Sequence, residues 1–262
     1  MRALHTAATG MMAQELNVQV ISNNIANMRT TGYKRQRAQF QDLLYEHVSR
    51  VGTQTSSAGN ILPVGIDLGG GVKTVGTPRL MTQGTLSATG SSLDVAIRGD
   101  GFFKIQQPDG TYAYTRDGSF QMDAQGRIVT AQGSVVQPTI SIPANSTGLT
   151  INAQGQVSVT PQGTTTSTVI GQLTLTRFIN QAGLLSIGDN MFTETPASGT
   201  PQDGLPGVDG AGDFQQGNLE QANVEAVSEI SDLIAAQRAY EMNGKVITAA
   251  DQMLSATSNL MR

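Results

Sequence analysis

At each end of the chain, apolar residues recur every seven positions. Leu4, Met11, Val18 and Ile25 form one row near the start, with Ala7, Gln14, Ile21 and Met28 as its companion. Three of the four companion residues are apolar, which gives the two-row pattern of a coiled-coil seam. Ala8, Met12, Leu16 and Val20 widen the apolar face well beyond a narrow stripe. The far end repeats the spacing with Leu219, Ala226, Leu233, Tyr240, Ile247, Leu254 and Met261, and Ala239, Val246, Met253 and Leu260 lie beside them. No Pro interrupts residues 207–262, and Gly244 is the only Gly after Gly217. The pattern predicts an N-terminal helix of ~40 Å and a C-terminal helix of ~60 Å. Two arrangements satisfy such helices: an antiparallel pair covering a core, or packing on other chains, because both faces are wide for a single partner. The second makes Leu4, Met11, Val18, Ile21, Ile25, Leu233, Tyr240, Ile247, Met253 and Leu254 candidate self-assembly residues.

Between the ends the period changes. Residues 94–138 alternate short β-type runs with turn pairs, at Asp109-Gly110, Asp117-Gly118, Gln125-Gly126 and Gln132-Gly133. "LTINAQGQVSVT" and "VIGQLTLTRF" continue the pattern to about residue 190, and residues 195–217 are rich in Pro and Gly. The fold class expected is therefore α+β, with an all-β domain inserted between two halves of a helical one. The expected layout is a terminal helical core domain at 1–35 and 216–262, an extended connector at 36–93 and 191–215, and an all-β outer domain at 94–190.

Composition narrows the function. Only 14% of residues are charged and 38% are hydrophobic, both below the usual globular shares, so the surface is poor in charge and prone to association. A net charge of −4 with pI near 5.1 argues against a nucleic-acid partner. The absence of Cys excludes disulfides and thiolate metal sites. No apolar run reaches membrane-spanning length, so no membrane insertion is expected, and "MRALHTAATGMM" lacks the apolar core of a cleaved signal peptide. His5 and His47 stand far apart and in no metal-ligand spacing, and nothing resembles a nucleophile elbow. No catalytic, cofactor or metal residue is assigned. "GDG" at 99–101 reads as a tight turn before Phe102 and Phe103, and the Asp-Gly pairs read as turns with positive φ at Gly rather than as Ca²⁺ loops. Phe102, Phe103, Tyr112 and Tyr114 are expected to pack the β domain.

The stretch "SNNIANMRTTGYKRQR", residues 22–37, is unusual for a helix end. Asn is a poor interior helix residue, yet Asn23, Asn24 and Asn27 fall in or beside the apolar-periodic segment. Amides there can bond nearby backbone, or pair across a helix contact and fix its register, which adds all three to the candidate self-assembly residues. Gly32 supplies the helix stop. Arg29, Lys34, Arg35 and Arg37 then form a basic exit, expected to be solvated or paired with acids such as Glu220, Glu225, Glu229 and Asp232.

These residues also carry a resemblance. "SNNIANMRTTGYKRQR" closely resembles the N-terminal signature of bacterial flagellar rod and hook proteins, A/S-N-N-x-A-N-x-x-T-x-G-[FY]-K. "DVAIRGDGFF", "YTRDGSFQMDAQGRIVTAQG" and "QRAYEMNGKVITAADQML" resemble three further blocks of that family, so the likeness runs along essentially the whole chain. "FQDLLYEHV" and the segment ending "LPVGIDLGGGV" resemble the extra stretch of the family's distal-rod branch, placing an insert at about 46–70.

The resemblance implies a structural subunit of the distal rod, exported by the flagellar type III apparatus without a cleaved signal peptide. Such subunits polymerise helically into a hollow driveshaft that carries torque from motor to hook. The implied site is the basal body, from periplasm to outer membrane. The implied neighbours are other copies of the chain, proximal rod proteins, hook-side proteins, the LP-ring bushing and the rod cap. Within the insert, Leu62, Val64, Ile66 and Leu68 alternate with Pro63, Gly65 and Asp67, which predicts a half-buried strand that stiffens the filament. The alternative is an exported β-rich adhesin or glycan-binding protein with helical ends, which needs exposed aromatics in a groove.

Overall fold

A computed structural model describes residues 2–49, 64–164, 166–208 and 210–260. It bears out the α+β class: two long helices at the ends and β-structure between them. The chain divides into two compact units. The first comprises Met1–Ile25, Gln36–Pro78 and Glu225–Arg262, and the second Ala26–Arg35 and Arg79–Val224. Residues 26–35 and 216–224, which the sequence pattern attaches to the helices, thus cluster with the β-rich unit.

In the first unit, α1 (Arg2–Ala26) spans about 38 Å and α2 (Ala226–Leu260) about 52 Å. The later start of α2 corrects the seven-residue row at its first member. Leu219 belongs instead to a strand, Asn218–Glu220, paired antiparallel with Leu86–Ala88. Helical spacing reached it by coincidence, because Gly217 at φ +71° sets up a turn between that strand and the one before it.

Small residues hold the buried side of the helices. Ala7, Ala13, Val20, Ile21 and Asn24 are buried on α1, and Glu229, Ala236 and Ala250 on α2. At Gly10 the two helices come close: a Cβ there would lie 2.9 Å from the Asn243 amide nitrogen. The large apolar residues Met12, Ile230, Ile234, Tyr240, Met242, Val246, Met253 and Leu254 are exposed.

The segment after Gln36 returns toward the start of α1. Val72 donates its N–H to the Thr9 hydroxyl, Gly71 packs on Thr6 and Thr9, and Arg2 pairs with Glu46. Two antiparallel ribbons lie along this path, Gln39–Asp42 with Val72–Gly76 and Tyr45–Ser49 with Ile66–Gly69. Here the expectation of a half-buried strand fails. Val64 is exposed, and Ile66, Asp67, Leu68 and Gly69 are all exposed, on both faces of a two-stranded ribbon. Leu62 lies outside the described residues.

The second unit is built on an antiparallel seven-stranded sheet. Its order is Leu185–Gly188, Met191–Thr193, Tyr112–Thr115, Phe103–Gln106, Val135–Gln137, Ile128–Val129 and Gln121–Met122. A three-stranded sheet (Ser146–Ile151, Gln156–Pro161, Thr168–Gln172) contributes Ile151, Val157 and Val159 to the same core as Val95, Ile97, Phe103, Ile105 and Phe214. A second cluster joins Phe102, Tyr114, Phe178 and Phe192 by edge-to-face ring contacts, with Leu184 packed among them. Burial, aided by Glu194 and Asp203, pushes the Tyr114 hydroxyl up to about 12.

Two further expectations need correction. Tyr112 does not pack the core; it is 47% exposed, with the Lys104 ammonium 4.6 Å above its ring. Gly110, Gly126 and Gly133 adopt positive φ as expected of turn glycines, but Gly118 does not. Its requirement is close approach, because a Cβ there would overlap the Val95 carbonyl.

Candidate functional site

The stretch at 22–37 resolves into two polar centres. The expected helix stop at Gly32 needs correction, because α1 already ends at Ala26; in the second unit the chain instead makes a later turn at Gly32, whose φ is +69° and whose N–H donates to the Glu220 carbonyl at 2.8 Å. Two residues on, the Lys34 ammonium is buried. It donates to Glu220 Oε1 at 2.6 Å and to the Thr82 carbonyl at 2.9 Å. Arg116, also buried, reaches Glu220 Oε2 at 3.3 Å and the Gly99 carbonyl at 2.8 Å, and the Gly84 N–H completes the shell of Glu220 Oε1 at 2.8 Å. Burial pushes the Lys34 ammonium below the ordinary lysine value, with Glu220 opposing the shift; Arg116 is shifted downward for the same reason. Of the basic exit, then, Lys34 is paired with an acid inside the β-rich unit. Its partner Glu220 sits on a strand and not on α2.

The other centre lies in the first unit. The Asn24 side chain accepts from the Gln36 N–H at 2.9 Å, donates to the Gln36 carbonyl at 2.9 Å, and donates to Glu229 Oε2 at 3.1 Å. Glu229 is buried in the first turn of α2, where the helix dipole favours a carboxylate. Asn23 is exposed and Asn27 half-buried; the Asn27 side chain accepts from the Thr30 hydroxyl as the helix ends.

The remaining candidate residues occupy the helices. Leu4, Met11, Val18, Ile25, Leu233 and Ile247 are half-buried, Ile21 is buried, and Tyr240, Met253 and Leu254 are exposed. Val18 and Tyr240 line an open groove of about 400 Å³, together with Glu15, Gln19, Gln237 and Glu241. Among the described residues no cluster of three or more His, Asp and Glu could hold a metal, and no helix is long and apolar enough to cross a membrane. His47 pairs with Asp67 at 2.5 Å on the exposed ribbon. Neither polar centre offers a nucleophile beside a base; both join segments of chain.

Comparison with known proteins gives the family of the chain. The flagellar basal-body rod protein FlgG of Caulobacter vibrioides is 55% identical over 260 residues, covering 99% of both chains. The chain belongs to the FlgG family. FlgG of Agrobacterium fabrum is 49% identical over the full length of both chains, and FlgG of Bacillus subtilis 35% identical, again at full length. Three family models match in order. They are a flagella basal body rod protein segment at 4–34, the FlgE/F/G hook protein D1 domain at 96–159, and the FlgEFG rod protein C-terminal segment at 215–260. The first and last of these contain Asn24, Gly32, Lys34, Glu220 and Glu229. Nothing in these matches supports the adhesin alternative, and of the four aromatics considered for it Phe102, Phe103 and Tyr114 are buried while Tyr112 is exposed.

Proposed function

We propose that the chain is a structural subunit of the flagellar distal rod, not an enzyme, and that it polymerises helically into the driveshaft between motor and hook. One observation carries this reading: the helices turn small residues inward and leave Ile230, Ile234, Tyr240, Met242, Val246, Met253 and Leu254 in solvent. Burying one such side chain contributes roughly 1.5–3 kcal/mol, and a stable protein does not leave a row of them exposed without a partner. Copies of the same helices are the partner that the family relationship favours. In this reading the helices pack as a coiled-coil-like tube wall. Leu4, Met11, Val18, Ile21, Ile25, Leu233, Tyr240, Ile247, Met253 and Leu254 line the contacts between copies. Proximal rod proteins, hook-side proteins, the LP-ring bushing and the rod cap are the further neighbours, in the periplasm and at the outer membrane.

Electron microscopy of the concentrated chain tests the reading; ordered tubes are expected, and a persistently monomeric chain contradicts it. Leu254→Asp makes the test specific, because Leu254 is 45% exposed and its replacement costs the subunit little. In a filament it would bury an unpaired carboxylate. The expected outcome is an unchanged near-ultraviolet dichroism spectrum and no filaments. Normal filaments from this variant would remove Leu254 from the interface.

The ribbon of Tyr45–Ser49 and Ile66–Gly69 is proposed to stiffen the rod. Its strands expose Tyr45, Val48, Ile66 and Leu68, a surface able to pack on an adjacent copy and restrict sliding. Deletion of residues 48–62 is expected to leave subunits folded while filaments become curved or flexible. Persistence length measured on filament images decides it; straight rods of unchanged stiffness return the segment to the status of a surface loop.

A further inference from the structure

The Asn24 side chain on α1 is bonded to two other segments of the chain. It is 1% exposed, and its amide binds both the N–H and the C=O of one residue, Gln36. An antiparallel strand offers its neighbour the same pair of bonds at a hydrogen-bonded position. The amide thus stands in for a strand at the point where the chain begins its return along α1. Its second N–H proton is left for Glu229, in the first turn of α2. Three segments remote in sequence therefore meet on one planar group. The chemistry is restrictive: the site needs one acceptor and two donors in a plane at fixed reach. Asp has no donor, Leu has neither, and Gln is one methylene too long.

We infer that Asn24 is a positioning residue that sets the register of α1, the outgoing segment at Gln36 and the start of α2. It thereby fixes the spacing at which the exposed apolar rows meet another copy of the chain. Asn24 then acts inside the subunit and not across the interface. The inference rests on the proposed assembly, because its effect on filaments requires that filaments form.

Purified full-length variants test it by critical concentration for polymerisation and by the helical repeat in electron micrographs. Asn24→Asp sets two buried carboxylates against each other and leaves the Gln36 carbonyl unpaired. The expected rise in critical concentration is about 100-fold. Asn24→Asp combined with Glu229→Gln restores a donor–acceptor pair between the side chains and is expected to recover about tenfold of that loss. Asn24→Leu, which keeps the shape and removes the bonds, is expected to give filaments with an altered or heterogeneous repeat. Lost stability alone would raise the threshold without changing the repeat. Wild-type thresholds in Asn24→Asp, no recovery in the double variant, or an unaltered repeat in Asn24→Leu each overturn the inference. Failure of the unaltered chain to polymerise at any concentration defeats the assembly reading instead. Hydrogen exchange at the Gln36 amide then decides the clasp: protection lost in Asn24→Asp supports it, and no protection in the unaltered chain overturns it.

Discussion

Replacing Glu220 by Ala is expected to destabilise the β-rich unit by about 3–5 kcal/mol, a large share of a domain's net stability. The side chains of Lys34, Arg116 and Glu220 are all at most 1% exposed, so solvent does little to screen them. Glu220 is bonded to both cations, and it also accepts the Gly84 N–H. Truncation leaves two buried cations without their bonded counter-charge and with only the weaker influence of Asp100, and Lys34 relieves the strain by losing its proton, a direction in which burial already pushes it. Glu220→Gln keeps an acceptor and removes the charge, so an intermediate loss is expected. Lys34→Met joined to Glu220→Leu and Arg116→Met removes the network as a set and is expected to cost less than Glu220→Ala alone. Denaturant midpoints followed by near-ultraviolet dichroism of the aromatic core report all three. A Glu220→Ala loss below about 1 kcal/mol, the scale of an exposed pair, would mean that water reaches the network.

The ion network also marks where sequence reading stops. An acid partner for Lys34 was legible as a class, since a basic cluster in an acidic chain seeks carboxylates. Which acid was not legible, because Glu220 lies 186 residues away and carries helical spacing with Leu219 although both are in a strand. The amide anomaly at Asn24 was plain from helix propensity alone, yet its partners lie 12 and 205 residues off. Seven-residue spacing revealed both helices, but spacing cannot say which stripe faces inward. The eye follows Leu and Met, whereas the buried stripe is largely Ala7, Ala13, Ala236 and Ala250. Turn glycines were readable where φ alone demands them, as at Gly110 and Gly133, and misread at Gly118, where the demand is made by a strand elsewhere in the chain.

Gly32 combines both demands, and Gly32→Ala is expected to cost about 3 kcal/mol. A left-handed conformation costs a residue with a Cβ roughly 1–2 kcal/mol. The added methyl would also stand 2.8 Å from the Asp117 nitrogen and 2.9 Å from the Arg116 carbonyl carbon. Those are backbone atoms and cannot swing aside as a side chain can, so overpacking adds about 1–3 kcal/mol. Gly133→Ala separates the two contributions, because Gly133 has φ +86° and open space where its Cβ would go. It is expected to lose only the conformational part. Equal losses at the two positions would show that the backbone beside Gly32 yields freely. The strain at Gly32 also has a direction. Displacing the chain there pulls on the bond from its N–H to the Glu220 carbonyl and on Lys34 two residues later. Gly32→Ala should therefore cost less in a Glu220→Ala background than in the unaltered chain, with a coupling of about 0.5–3 kcal/mol. Strict additivity in that double-mutant cycle would mean that the turn and the ion network hold the chain independently, whereas coupling means that the turn at Gly32 is the element that seats Lys34 on its carboxylate.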